Sequence, residues 1–332
     1  MKRKPRLAVV VPMYNPGKLI VQVLKHMPKE VDLVVVVDDG SSDGAGELVR
    51  KYSDPRIVLL QLEKNSGVGA ACKRGMAEAF SRGAGVVVKV DADFQMDPRF
   101  VPVIAGPVLA GKADFAKGNR FLHSEELLAM PFVRRLGNMA LSFLAKATTG
   151  YWQVFDPTNG FFAIHRQVFS LLNQRRIADD YFFEISLLAE LRLHGAVVKD
   201  VALPASYPHT VSHLSIRRAL WSFPAKLFRL LCRRVWLEHF VKDFGLVAVS
   251  LFFGLVLFFG GGLFGIYHWY HSARAGVVTP TGTVMLAVLP MVFGFQLLLQ
   301  ALFLDVQKIP NTPLQGELPN LGEGGKEVSP NG

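Results

Sequence analysis

Two stretches of this chain hold no charged residue: Phe244–Tyr267, 24 residues, and Thr283–Leu304, 22 residues. As a helix with about 1.5 Å of rise per residue, each is long enough to cross a ~30 Å hydrocarbon core. The loop between them carries one basic residue, Arg274. The segment ahead of the first stretch carries seven: Arg217, Arg218, Lys226, Arg229, Arg233, Arg234 and Lys242. That asymmetry puts both ends of the pair, and the large N-terminal part, on the cytoplasmic side of a membrane. Tyr267, Trp269 and Tyr270 fall where an interfacial aromatic belt belongs. The glycines of the first stretch (Gly254, Gly260, Gly261, Gly262, Gly265) either let helices approach and oligomerise or reflect the tolerance of membrane helices for glycine.

The basic run at 213–243 interleaves its cations with Leu, Phe and Trp, the pattern of an amphipathic helix lying among lipid headgroups. A solvated helix face is the alternative. The net charge of +10 over 332 residues suits a nucleic acid or an anionic membrane. The cations gather beside the spans rather than around an aromatic stacking surface, which argues against nucleic acid. Two cysteines, Cys72 and Cys232, make neither a disulfide framework nor a zinc site, and fit a reducing compartment. The N-terminal apolar run is short and meets Pro12, so it reads as a first strand rather than a secretory leader.

From Leu7 to Asp91 strands and helices alternate. The runs 7–12, 33–39, 56–62 and 86–90 are apolar and rich in β-branched residues, and between them 18–26, 43–52 and 67–82 have helical spacing. Such alternation predicts a parallel sheet covered on both faces, with ligands at the carboxyl ends of its strands. Three of those ends carry chemistry: Pro12, Tyr14 and Asn15; the run Asp38 to Asp43; and Asp91–Ala92–Asp93.

The last of these is the most pointed. Asp91 and Asp93 stand two apart where a strand ends, followed by Gln95, Asp97 and Pro98. Oxygen ligands with water completing the shell suit Mg²⁺ or Mn²⁺, and such an ion clamps a diphosphate. A solvated acidic turn is the plainer reading. Asn65–Ser66–Gly67–Val68–Gly69 opens a helix, and its glycines would let backbone N–H groups approach phosphate or ribose, though taken alone they are better explained by a simple helix start. Lys89, inside an apolar strand, has no account from sequence.

Beyond Pro98 the alternation stops. A short helix at 100–110, an amphipathic run at 130–149, the turn DPTNGF at 156–161, a helix at 179–193 holding Glu184, and a last strand at 197–205 follow. The pattern divides the chain into an α/β part at 1–212, basic interface helices at 213–243, a transmembrane hairpin at 244–306 and a Pro/Gly/Asn-rich disordered tail at 307–332.

VVPMYN, VVDDGSSDG, NSGVGAA, DADFQMDP and DPTNGF occur in one order across about residues 6–205, and in this the chain resembles the family 2 inverting glycosyltransferases of GT-A fold. It is similar, more narrowly, to the polyprenyl-phosphate glycosyltransferases, including dolichyl-phosphate mannose synthases and their bacterial two-span relatives. The resemblance implies transfer of a single sugar from a nucleotide diphosphate sugar, UDP- ahead of GDP-linked, to polyprenyl (undecaprenyl) phosphate. The site would lie on the cytoplasmic face of a bacterial inner membrane, with both termini cytoplasmic and homo-oligomers open. It implies Mg²⁺ or Mn²⁺ on Asp91, Asp93 and Gln95, and nucleotide contacts from Pro12, Tyr14, Asn15, Asp39, Gly67 and Asp91. Arg120 would face the phosphates, Arg134 and Asn138 would hold the acceptor phosphate, and Asp156 would sit near the acceptor. Glu184 would line the acceptor pocket or merely favour its helix start.

The sequence departs from the family pattern in two places. Pro16 follows Tyr-Asn where the family has Glu, which leaves the base unsettled. The basic loop after the last strand becomes Tyr207–His213, where His209 and His213 either replace the missing cations or are ordinary surface histidines. A transferase that extends a lipid-linked sugar or polysaccharide, and an inactive membrane scaffold, are the rival readings. The chain lacks a Q-x-x-R-W motif and has few spans for a processive pore, while intact Asp39, Asp91 and Asp93 speak against a scaffold.

Overall fold

The computed structural model describes residues 6–119, 132–157, 159–203 and 216–317; side chains are described throughout these except at 132–138, 140–141 and 216–223. The chain forms two compact units, Met1–Leu230 with Pro310–Gly332, and Leu231–Ile309.

The first unit is built on one seven-stranded sheet in the order β3-β2-β1-β4-β6-β5-β7. Its strands are β1 (Leu7–Met13), β2 (Leu33–Asp38), β3 (Ile57–Gln61), β4 (Val86–Lys89), β5 (Phe115–Asn119), β6 (Phe162–His165) and β7 (Val198–Ala202). The first four are parallel to one another, as the alternation predicts. β6 runs antiparallel between β4 and β5, and β7 parallels β5, so the sheet is mixed. The sequence pattern missed β5 and β6 for a physical reason. β5 reads Phe-Ala-Lys-Gly-Asn and β6 has four residues, too short for a period to show.

Successive strand residues feed two cores. Ala8, Val10, Val35, Val37 and Val87 face α3 (Val68–Ser81) and α7 (Phe183–His194). Val9, Val11, Val34, Val36 and Val88 face α1 (Leu19–Lys25), α2 (Ala45–Lys51) and α4 (Val101–Leu109). Each fully buried Val, Leu or Ile contributes roughly 1.5–3 kcal/mol, which is why strands covered on both sides carry so few polar residues. Helix α3 turns Ala71, Cys72, Met76, Ala79 and Phe80 to the sheet at helical spacing. A Cβ at its Gly75 would collide with Val10 and Val37, so glycine sets how near the helix lies.

The remaining helices are α5 (Phe132–Thr149), α6 (Arg166–Leu171), α8 (Ile216–Val235), α9 (Leu246–Ala275) and α10 (Thr281–Gln307). Boundaries differ from the expected ones. Leu227 packs with Ala145, Phe182 and Ile185, and its carbonyl accepts from the Thr148 hydroxyl, so the start of the basic run belongs with the sheet unit. The tail is not disordered from 307: the Asp114 carboxylate accepts the N–H groups of Leu314 and Gln315, both at 3.0 Å, and Leu314 packs on the core. Residues 318–332 lie outside the described residues.

In the second unit, α9 and α10 are long and apolar enough to cross a membrane. Most of their large apolar side chains are exposed, unlike the core helices of a soluble protein. The glycines act inside the hairpin. A Cβ at Gly261 would sit 2.7 Å from the Ala287 carbonyl, and one at Gly294 2.5 Å from the Phe258 nitrogen. Gly254 likewise faces Leu298 and Gly294, whereas Gly260 faces open space.

Candidate active site

The carboxyl ends of β1, β2 and β4 lie side by side because β1 pairs with both neighbours in parallel. Pro12 is buried within β1, and Tyr14, 54% exposed, stands just beyond it. Asn15 takes a left-handed backbone (φ 49°) that aims its amide at the next loop. Its Oδ1 accepts the Ser42 N–H at 2.8 Å, and its own N–H donates to Ser41 Oγ at 3.0 Å. The loops after β1 and β2 are therefore stitched into one rim. Asp38 turns back into the structure, accepting from the Ser41 N–H and from the Gln61 amide.

Asp39 anchors the third loop. Its two carboxylate oxygens accept the N–H groups of Ser66 and Gly67, each at 2.8 Å. The N–H groups of Gly69 and Ala70 donate to the Asp179 carbonyl. Of the two readings of the glycine loop, this favours the helix start: the N–H groups that could approach phosphate are spent on Asp39 and Asp179. The glycines serve close packing instead, since a Cβ at Gly67 would overlap the Asp179 carbonyl and one at Gly69 that of Ala178. Gly67 still borders the rim, but through the loop that Asp39 holds.

Past β4 the chain turns sharply. Phe94 has a left-handed φ of 61°, and the Gln95 N–H donates to Asp93 Oδ1 at 3.0 Å. Burial pushes the Asp93 carboxyl up, the Gln95 N–H pulls it back, and the neighbouring Asp91 charge adds to the rise. A carboxyl raised by burial and by a neighbouring carboxylate is relieved by a cation, so Asp91, Asp93 and Gln95 fit a divalent ion in donor type and charge. Asp97 plays another part: it caps the turn at Pro98–Phe100 and pairs with Arg99.

Lys89 now has an account. Its side chain, 2% exposed, places Nζ 2.6 Å from Asp91 Oδ1 and 3.2 Å from Glu184 Oε1. Burial alone would lower it; Asp91 and Glu184 outweigh that and hold it above the ordinary lysine range. Glu184, in the first turn of α7, is thus an ion-pair partner of the site and not simply a helix-start residue. The space for this contact comes from Gly160 of the DPTNGF turn. A Cβ there would meet the Lys89 ammonium, lie 2.9 Å from Asp91 Oδ2 and 3.3 Å from Glu184 Oε1. The turn that the resemblance puts near the acceptor therefore stands against Asp91 and Glu184.

A second buried lysine supports that turn. Lys117 of β5 and Lys89 of β4 both register with Phe162 of β6, one row across the sheet. Lys117 Nζ donates to the Asn159 carbonyl. The Asn159 amide donates to the Gly118 carbonyl at 2.7 Å, and its oxygen accepts the Phe161 N–H at 2.9 Å. Asp156 is buried at the start of the turn. Asp200 of β7 accepts from the Phe155 N–H at 2.9 Å and from the Asn119 amide at 3.1 Å. Burial pushes Lys117 down to about 8 despite the carboxylates of Glu184 and Asp156. Lys117, Asn159 and Asp200 were missed from sequence; the available signal was a second lysine in a short apolar segment.

Arg120, His209 and His213 lie outside the described residues, and Arg134 and Asn138 fall on α5 where side chains are not described. Among the described residues, ligand atoms of three acidic or histidine side chains converge at Glu238, His239 and Asp305, in the second unit. Arg234 already fills that cluster, with Nη1 and Nη2 at 2.8 and 3.0 Å from Asp305 and Nη1 at 3.0 Å from Glu238. It is an ion-pair staple in the hairpin unit and competes with any metal there.

The sequence model described as glycosyl transferase family 2 matches residues 8–172. An uncharacterized protein of Methanocaldococcus jannaschii is 31% identical over 205 residues, 61% of this chain and 83% of that one. A UDP-N-acetylglucosamine–dolichyl-phosphate N-acetylglucosaminyltransferase of Methanococcus voltae is 26% identical over 188 residues, 52% of this chain and 74% of that one. A polyprenol monophosphomannose synthase of Mycolicibacterium smegmatis is 29% identical over 205 residues, 60% and 76% of the two chains.

Proposed function

Because this chain belongs to glycosyl transferase family 2, we propose that it moves one sugar from a nucleotide diphosphate sugar to a polyprenyl phosphate at the cytoplasmic face of a membrane, with inversion. The observation that carries the reading is the meeting of the DPTNGF turn with the chain just past β4, Gly160 against Asp91. This supports an acceptor side at that turn, next to the strand ends where a donor diphosphate would lie. Two relatives support the acceptor class, one named for N-acetylglucosaminyl transfer to dolichyl phosphate and one as a polyprenol monophosphomannose synthase.

In this reading Tyr14, Asn15 and Asp39 form the nucleoside end of the rim. Asp91, Asp93 and Gln95 would hold Mg²⁺ or Mn²⁺. Bound there, the ion would neutralise the diphosphate and its developing charge. The acceptor needs little proton removal, because a phosphate monoester has its second pKa near ~6 and is largely dianionic at neutral pH. It needs position and charge relief, which Arg134 and Arg120 would supply through charge-assisted bonds. Asp156, held in a turn braced by Lys117 and Asn159, orients groups more than it takes a proton.

The test uses the full-length protein with radiolabelled UDP- and GDP-sugars, Mn²⁺ and undecaprenyl phosphate. A labelled lipid carrying one sugar is expected, and Asp93→Ala or Arg134→Ala should abolish it. Transfer undiminished by EDTA would refute the metal's role, and a lengthening product would favour an extending enzyme.

A further inference from the structure

Lys89 pairs with a carboxylate that a divalent ion would also need. Its ammonium occupies one oxygen of Asp91 at 2.6 Å, is held from the other side by Glu184 at 3.2 Å, and is sealed from water with 2% exposure. Asp93, by contrast, takes a backbone N–H through one oxygen and has Asp91 as its charged neighbour. Counting formal charges, Lys89, Asp91 and Glu184 together carry −1, and Asp93 makes the site −2. Asp91 is shared between an internal cation and any incoming one. In a low-dielectric pocket that competition is strong, because the ammonium cannot turn to solvent.

We propose that Lys89 makes ion binding depend on the donor: in the donor-free protein it occupies the Asp91 carboxylate, and Glu184 sets how firmly it does so. The diphosphate adds negative charge and ligand oxygens to the ion's shell, so ion and donor bind as a unit. Glu184 draws the ammonium away from Asp91. Without it, Lys89 belongs wholly to Asp91 and the ion loses ground. Without both, Asp91 is released and the ion gains, at unchanged net charge. Lys89 is in this sense a positioning residue, and Gly160 is the space that admits it. The inference rests on Asp91 and Asp93 being the ion's ligands.

The opposite signs of the two perturbations provide the test. Mn²⁺ binding to the full-length protein would be followed by electron paramagnetic resonance of the free ion, with and without UDP or GDP. The wild type should bind Mn²⁺ at least about tenfold tighter with nucleotide than without, within the usual range of coupling between sites. Glu184→Gln should weaken donor-free binding by about threefold or more. The charge-neutral pair Lys89→Met with Glu184→Gln should tighten it by about fivefold and reduce the nucleotide effect by the same factor. Thermal melting checks that each variant is folded. If the double variant does not fold, the sign of Glu184→Gln alone decides.

Two variants moving the same way, or Glu184→Gln tightening the ion, would overturn the proposal. Should the wild type show no Mn²⁺ site that Asp93→Ala removes, the ligand assignment fails and takes the proposal with it. A site removed by Asp93→Ala but indifferent to Lys89 overturns the proposal alone.

Discussion

Gly69→Ala tests why the glycine loop is there. Two explanations compete: N–H groups kept open for phosphate, or backbone packed too closely for a side chain. The structure supports the second, and the cost can be estimated. A Cβ at position 69 would fall on the Ala178 carbonyl and lie 2.9 Å from the Asp179 carbonyl carbon. These are backbone atoms, which cannot swing aside as a side-chain tip can. Forcing them apart costs about 1–3 kcal/mol by analogy with overpacked cores. The Gly69 and Ala70 N–H bonds to Asp179, 2.8 and 3.3 Å, would stretch or break. Each contributes about 1 kcal/mol net. Alanine returns somewhat under ~1 kcal/mol of helix propensity near the start of α3. The balance is a loss of about 2–4 kcal/mol.

For a domain of this size that corresponds to a fall in Tm of roughly 5–15 °C. Gly83→Ala is the control: it has positive φ (89°) but open space around it, and should cost about 1 kcal/mol. Melting followed by circular dichroism, with nucleotide titration on the folded variant, separates the two explanations. A Gly69→Ala protein that melts with the wild type but binds nucleotide tenfold more weakly would refute the packing argument and restore the phosphate one.

Asp114→Ala should release the tail. The carboxylate also accepts the Val197 N–H at 2.8 Å, so about 2–4 kcal/mol is lost and protease should cut near residue 312 at least about tenfold faster. Arg234→Met should remove the guanidinium that Asp305 and Glu238 share and destabilise the hairpin unit by about 3–5 kcal/mol, read by denaturant unfolding in detergent with tryptophan fluorescence. Lys117→Met should change a pH profile. The folded value of about 8 lies below the ordinary 10.5, so between those limits the unfolded chain binds more protons and stability rises with pH. The variant should lose that rise, about 2–3 kcal/mol between pH 8 and 10, and gain stability below pH 8; an unchanged slope would refute the assignment.

What the sequence made legible was local. Four apolar runs separated by helical spacing were enough for β1 to β4, for the direction of their ends, and for the acidic pair beyond β4. Two charge-free runs were enough for α9 and α10. What it hid was non-local. Glu184 lies 95 residues from Lys89, and Asp114 lies 200 from Leu314, so no window over the chain joins them. The glycines at 67 and 69 were legible as glycines, but the backbone they admit comes from 178–180, and spacing alone could not tell a phosphate from a carbonyl. β6 was hidden because an antiparallel strand inserted between β4 and β5 leaves no trace in the β-α alternation.

The two lysines show how part of that hidden content could be recovered. A pattern reader treats Lys89 in VVVKV, or Lys117 in FAKGN, as noise in a strand. Physical chemistry does not allow noise of that kind, because a charge removed from water must be paired or give up its proton. Each lysine therefore requires polar or anionic partners above the same face of the sheet. The two solve the problem differently. Lys89 meets two carboxylates and stays charged, while Lys117 meets a carbonyl and is pushed down to about 8. Since both register with Phe162, their partners had to come from segments crossing that one row, and DPTNGF and the start of α7 are those segments. The buried cations thus locate the acidic centre independently of any motif, and they place it where the strand-end argument does.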